Sequence, residues 1–387
     1  MDKEKQYILS DDDLLSIDRD LAIDKEKRRR LKLESVEAIK EKNQQEWESE
    51  QAFLDLKKHW LKEFSPAKIE KILNERIVGQ PELTKSVANF LYYHILRQVY
   101  PELPPRPMLI SGPSGSGKTE VWRAIQLLES DLCFDGMRGA KDDGIKIIDG
   151  ASLTADGWKG ENKISTQINN DIAEGGILVI DEFDKLATPQ VGAYGTNHSA
   201  LVQAELLKLL EGELTIIDPD AGCTSKERIE THKMGIVLVG AFESINEKYR
   251  VQKNRIGFNT TNQTSVNNEH TDITDEDFIK YGVLTELMGR ICTKCHTKEL
   301  ADEDYIAIIR NPHSRVSKLI EVLRVNGVKV DNIIDDEKIK ELIKQTRTNK
   351  TGARWVSAQI ENKILDLIYE NGICPDVAYL SDCQQTP

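Results

Sequence analysis

The sequence predicts an α/β protein. A large domain built on a parallel sheet is preceded by a charged, mostly helical extension and followed by a small, mainly helical domain. Three observations lead there. First, Ser111-Gly112-Pro113-Ser114-Gly115-Ser116-Gly117-Lys118-Thr119 fits G-x-x-x-x-G-K-[ST], with a short apolar run, Met108-Leu109-Ile110, before it and a helix-compatible run, 120–128, after it. Second, strand-like and helical stretches alternate from that point onward, the pattern of a parallel sheet. Third, the character changes after Arg290, beyond which helical patterns dominate. The boundaries fall at 1–64, 65–298 and 299–374, with a loose tail at 375–387.

The loop motif carries specific chemistry. Its glycines let backbone N–H groups face phosphate oxygens with no Cβ in the way. The helix that follows adds the positive end of its dipole. Lys118 reaches the β and γ phosphates, and the Thr119 hydroxyl ligates Mg²⁺. The expected nucleotide contacts are Gly112, Pro113, Ser114, Gly115, Ser116, Gly117, Lys118, Thr119 and Glu120. The loop by itself implies a nucleoside triphosphate with Mg²⁺.

Bulk properties narrow the classes. With 387 residues the chain is long enough for two or three domains. Charged residues make up 30% and hydrophobic ones 39%, which suits an ordinary core. The net charge of −13 argues against a protein that binds nucleic acid through bulk charge. No run is long and apolar enough to span a membrane, and Met1-Asp2-Lys3-Glu4-Lys5 lacks the apolar core of a signal peptide. The reading is a cytoplasmic protein. Its six cysteines then count as free thiols. Cys292-Thr293-Lys294-Cys295-His296 has the form of a haem-attachment motif, but that attachment takes place outside the cytosol, and one C-x-x-C makes a poor zinc site. Its origin is taken as structural or accidental.

Taken in order, residues 1–64 are polar and charged, with Asp11-Asp12-Asp13 acidic and Lys27-Arg28-Arg29-Arg30 basic. Phe53, Leu56, Trp60 and Phe64 recur at helical spacing, so the second half reads as an amphipathic helix, packed on the main body, on a neighbouring subunit or on a partner. Ser65-Pro66 starts another helix. Ile77-Val78-Gly79-Gln80-Pro81 is a turn opening a helix that runs to about Tyr100, where a proline-rich connector ends it. Strands follow at 108–110, 146–149, 176–182 and 235–240, with a helix at 201–210 between the last two. Residues 251–275 read as a long exposed loop. Helices are expected at 314–323, 336–345 and 353–369, with a strand conceivable at Val328-Lys329-Val330.

Asp181-Glu182 closes the third strand, which is nearly all apolar and so buried on both faces. With the phosphate loop present, Asp181 holds Mg²⁺ and Glu182 polarises the attacking water. Arg290 and Arg354, taken alone, are surface salt-bridge residues.

These residues together resemble AAA+ ATPases of the ClpX/HslU branch, ClpX most of all, over about residues 66–370. Ile77-Val78-Gly79-Gln80 resembles the adenine-pocket motif, which the helix bearing His94 and Arg97 continues. Gly157-Trp158-Lys159-Gly160, within a stretch beginning at Ala151, resembles the central pore loop. Leu206 to Gly212 and Gly240-Ala241-Phe242 match the helix and strand that follow. Leu287-Met288-Gly289-Arg290 resembles the arginine-finger segment, and Thr351-Gly352-Ala353-Arg354 the sensor-2 motif. Ile256-Gly257-Phe258 resembles the loop by which ClpX docks on its peptidase.

The resemblance implies an AAA+ large domain and helical lid, and a homohexameric ring with ATP at subunit boundaries. Arg354 would reach the γ-phosphate within the subunit, and Arg290 would reach it from the neighbour. Trp158 would grip an unfolded or tagged polypeptide in the pore, for delivery to a Clp-type peptidase. The sequence also departs from ClpX. Residues 1–64 contain no cysteine, where ClpX has a zinc-binding module; 186–200 does not reproduce the second pore loop; the basic Arg-Lys-His loop is not evident; and Trp158-Lys159 replaces Tyr-Val. An assembly or disassembly factor for one protein complex, selected through residues 1–64, is the alternative. A DNA motor is disfavoured by the acidic charge and the aromatic loop, and a small-molecule kinase by Glu182 with Arg290.

Overall fold

A computed structural model describes residues 44, 48, 51–52, 54–128, 144–155, 162–168, 170–173, 175–189, 197–212, 215–217, 228–247, 273–326, 336–349 and 352–370. The chain divides into two compact units, 1–56 and 57–387. In the first, the described residues are helical, and Gln44 Nε2 donates to Glu48 Oε1 at 2.8 Å one turn on. The sheets and their helices, described next, lie in the second.

Five parallel strands form the central sheet: β1 (Met108–Ser111), β2 (Ile145–Asp149), β3 (Ile177–Asp181), β6 (Gly235–Gly240) and β7 (Thr293–His296), in the order β2-β3-β6-β1-β7. Two short strands, β4 (Thr215–Ile217) and β5 (Arg228–Glu230), pair antiparallel apart from it. Register is tight: Met108 pairs with Val237 on one side and with Thr293 on the other, and Asp149 pairs with Asp181. The α/β parallel fold expected from the alternation is the fold observed.

Side-chain alternation splits the core into two layers. Met108, Ile110, Val179, Val237 and Val239 face helices Pro66–Asn74, Pro81–Val99 and Glu120–Leu127. Leu109, Leu178, Ile180, Ile236 and Leu238 face the opposite layer, which includes helices Phe183–Ala187 and His198–Leu210. Apolar residues on both faces make these strands continuous hydrophobic runs. A third cluster, from Leu300 to Ile364, is built by helices Asp302–Arg310, Arg315–Val325, Asp336–Asn349 and Gly352–Glu370.

Local signals behave as their chemistry dictates. Ser65 caps the helix that Pro66 opens, its Oγ accepting from Lys68 N at 3.3 Å. Trp60 and Phe64 stack with centroids 5.3 Å apart and are buried, Trp60 lying 6.5 Å from the ring of Tyr92. No described helix is long and apolar enough to cross a membrane.

Some elements were not foreseen. β7 occupies the edge beside β1, where the sequence Thr-Lys-Cys-His offers no apolar run: only Cys295 of the four is fully buried. Helices Asp275–Tyr281 and Asp302–Arg310 open on runs of three acidic residues, which complement the positive helix end. Residues 328–330, the tail after 370 and all but the last three positions of the 251–275 stretch lie outside the described residues.

The topology creates one crevice. From β1 the chain passes over β6 and β3 to reach β2, while from β6 it crosses β1 to reach β7. The connections diverge at β1 and β6, and ligands of open α/β sheets bind at the carboxyl ends of strands at such a switch point.

Burial makes a stability prediction. Trp60→Ala removes a side chain that is 2% exposed and should cost about 3–5 kcal/mol. Leu56→Ala, at a site 46% exposed, should change stability by no more than about 0.5 kcal/mol. Denaturant midpoints of the two variants check this.

Candidate functional site

The phosphate loop leaves the carboxyl end of β1 at Ser111 and enters helix Glu120–Leu127. Gly112, Gly115 and Gly117 all take positive φ. Two of them also admit close neighbours. A Cβ on Gly112 would collide with Thr297 Oγ1, and one on Gly115 would lie 2.9 Å from Gly352 Cα. Gly352 begins the last helix, so the loop touches the N-terminus of the segment that carries Arg354 two residues later.

Lys118 is buried. Its Nζ donates to Gly112 O at 2.8 Å and Pro113 O at 2.7 Å. Burial depresses its pKa to about 8, partly offset by the negative charges of Asp181 and Asp184. Thr119 Oγ1 donates to Asp181 Oδ2 at 2.8 Å, and Asp181 Oδ1 accepts from Glu182 N at 2.9 Å. The carboxylate at the end of β3 thus fixes both the loop threonine and the next residue's backbone. A hydroxyl and a carboxylate oxygen form a donor set suited to Mg²⁺, which binds through one or two carboxylates plus substrate phosphates. Among the described residues no group of three or more His, Cys, Asp or Glu could form an all-protein cage.

Glu182 is exposed and sits in the left-handed region at φ 54°. Among the described residues the other non-glycine with positive φ is Phe242, at 49°. They follow the ends of neighbouring strands β3 and β6, and such outliers cluster at functional sites. Phe242 is held edge-on by Phe278 and Tyr281, both with centroids 5.0 Å away. Asp184, which the sequence reading did not single out, joins the two turns. Its Oδ1 accepts from Ala241 N at 3.0 Å, while Oδ2 makes no hydrogen bond and lies 3.4 Å from Lys185 Nζ. A second acid two residues after Glu182 was the available signal.

The Ile77-Val78-Gly79-Gln80 segment packs against the approach to the C-terminal helices. Gln80 Nε2 donates to Lys298 O at 2.7 Å, and Gln80 Oε1 accepts from Lys298 N at 3.1 Å. Gly79, at φ 76°, leaves room for Asp304, whose carboxylate atoms a Cβ would meet at 2.6 to 2.9 Å.

Other expected residues lie elsewhere. Arg290 pairs with Glu211 of its own chain, Nη2 at 2.6 Å and Nε at 2.9 Å from Oε1. Arg354 is exposed. His94 and Arg97 bond to backbone carbonyls. His94 Nε2 bonds to Gly175 O at 2.8 Å, and Arg97 donates to Met234 O and His232 O. Those carbonyls precede β3 and β6, at the amino ends of the strands and opposite the phosphate loop. Gly157, Trp158, Lys159 and Gly160 lie outside the described residues, as do Ile256, Gly257 and Phe258. The flanks of the former stretch are joined, since Thr154 N donates to Asn162 O at 2.8 Å.

Residues 104–294 match the family described as the AAA domain (Cdc48 subfamily). The chain is also similar to three proteins named "ATP-dependent Clp protease ATP-binding subunit ClpX". That of Treponema denticola is 26% identical over 336 residues, covering 79% of this chain and 77% of the relative. Those of Borrelia duttonii and Borrelia recurrentis are each 26% identical over 338 residues, covering 79% of this chain and 74% of theirs.

The depressed Lys118 pKa sets a pH dependence for nucleotide binding. Below about 8 the ammonium is present to meet phosphate; above it, a bound nucleotide must draw a proton onto the amine. Affinity for Mg-ATP should therefore fall as pH rises through about 8, approaching about tenfold per unit, with proton uptake on binding. Calorimetric titrations in buffers of different ionisation enthalpy measure both, and Lys118→Met should abolish the slope.

Proposed function

We propose that this chain, an AAA+ ATPase similar to the ClpX subunits, works in the cytosol as a ring that uses ATP to unfold or thread polypeptides. The observation that carries this reading is the extent of the similarity. It spans 79% of the chain, well beyond the AAA-domain match at 104–294.

The residues divide the work. Loop amides from Ser114 to Thr119, with Lys118, hold the phosphates, and Ile77 to Gln80 border the base. Thr119 and Asp181 hold the Mg²⁺, which supplies charge neutralisation at the phosphates when bound. Glu182, exposed at the end of β3, takes up the proton of the attacking water. Arg354 contacts the γ-phosphate in its own subunit. Arg290 leaves Glu211 for the nucleotide of the neighbouring subunit, so that hydrolysis depends on assembly. Trp158 supplies a large, sequence-tolerant apolar grip on the polypeptide. Ile256-Gly257-Phe258 docks a Clp-type peptidase.

A second reading, a remodeller of one protein complex, draws on a different observation. Residues 1–56 form a compact unit of their own. On that reading residues 1–64, which include this unit, select the client and no peptidase is engaged.

Glu182→Gln should bind ATP but hydrolyse it about 10²–10⁴ times more slowly, the usual contribution of a general base. Trp158→Ala should go on hydrolysing ATP but lose unfolding of a tagged, folded client. A Trp158 variant that unfolds clients at the normal rate would remove the pore-loop assignment. Phosphate release and loss of client fluorescence, followed in parallel, separate the two effects.

A further inference from the structure

We infer that His296 and Thr297, where edge strand β7 ends, are positioning residues for the phosphate loop: consecutive residues that hold the loop at both Ser111 and Ser116. The inference concerns ATP use itself and stands whether or not the protein threads polypeptides. It also gives a role to His296, which the nucleotide chemistry leaves unused.

The geometry is a chain of hydroxyls. Thr297 N donates to Ser111 O at 2.8 Å, extending the β1–β7 pairing one residue past its last register pair, Ser111 with His296. Thr297 Oγ1 donates to the same carbonyl at 3.2 Å. That uses the single hydroxyl proton of Thr297, so in the 2.6 Å contact between Ser116 Oγ and Thr297 Oγ1 the serine is the donor. One side chain therefore holds the loop where it leaves the strand and again five residues later. Both hydroxyls are buried, Thr297 at 1% exposure and Ser116 at 3%. The fit is close, since a Cβ on Gly112 would occupy the place of Thr297 Oγ1. His296 adds a contact one residue earlier, its Nδ1 lying 3.1 Å from Ser111 Oγ. Burial and nearby Lys118 depress the His296 pKa to about 4, so this contact is made by a neutral ring at neutral pH.

The consequence is preorganisation. Ser116 lies one residue before Gly117-Lys118, within the arc whose amides must converge on phosphate oxygens. A loop pinned at Ser111 and Ser116 has less freedom to lose when nucleotide binds. The pinning side chain lies beside Lys298, whose backbone N–H and C=O are both bonded by Gln80.

The test is Mg-ATP affinity and steady-state kinetics of the full chain, for Thr297→Val, Thr297→Ser, Ser116→Ala and Ser116→Ala/Thr297→Val. Thr297→Val keeps the side-chain shape and deletes the hydroxyl. It should raise Kd and KM about 2- to 12-fold, the range given by one hydrogen bond of ordinary net strength, and change kcat less than KM. Thr297→Ser should restore wild-type affinity. The double variant should bind no more weakly than Thr297→Val alone, because the two residues share one interaction. If Thr297→Val does not fold, Ser116→Ala carries the test and should show the same loss. Unchanged affinity in Thr297→Val or Ser116→Ala, no recovery in Thr297→Ser, or fully additive losses in the double variant would each overturn the inference.

Discussion

The structure depends on the hydrogen bond between Thr119 and Asp181, 2.8 Å across the mouth of the sheet. These residues belong to the loop after β1 and to the end of β3, and β6 lies between the two strands. The contact therefore requires three adjacent strands in register. It is available because β1, β3 and β6 are apolar on both faces and pack between two helical layers. One carboxylate then organises the loop hydroxyl and the backbone of Glu182, and its charge partly offsets the burial that depresses the Lys118 pKa.

A second constraint comes from the C-terminal helices, which approach the same crevice at two points. Gly115 meets Gly352, and Gly79 accommodates Asp304, in each case at a separation that a Cβ would violate. The nucleotide-binding side of the sheet is thus in contact with the start of helix Gly352–Glu370 and with helix Asp302–Arg310. The first contact is made by the phosphate loop itself and the second by the turn at Gly79. The Gln80–Lys298 pair ties the Gly79 segment to the residues that follow β7.

Much of this was legible in the sequence, for physical reasons. Strands buried on both faces advertise themselves as short apolar runs, and β1, β2, β3 and β6 were found that way. The phosphate loop was legible because glycine, lysine and threonine at fixed spacing serve one geometry. β7 was not legible: an edge strand need be apolar on one face only, and Thr-Lys-Cys-His reads as a thiol motif instead. The resemblance put His94 and Arg97 on the helix that continues the adenine-pocket motif, but a motif does not say toward which end of a sheet a helix residue points. They proved to serve carbonyls at the amino ends of β3 and β6. Asp184 and Thr297 were missed because their partners, Ala241 and Ser116, are 57 and 181 residues away.

On the reading proposed above, ATP works in a ring, with each site completed across a subunit boundary. Arg290 held by Glu211 of its own chain is the arrangement that assembly would have to exchange. The most direct measurement is the mass of the full chain in solution, with and without a slowly hydrolysed ATP analogue and Mg²⁺, by sedimentation velocity. A ring should appear as a nucleotide-stabilised species of six subunits, each 43.8 kDa, and Arg290→Ala should still form it but hydrolyse ATP poorly. A monomer at all nucleotide concentrations, hydrolysing ATP at a rate that does not change with protein concentration, would contradict it.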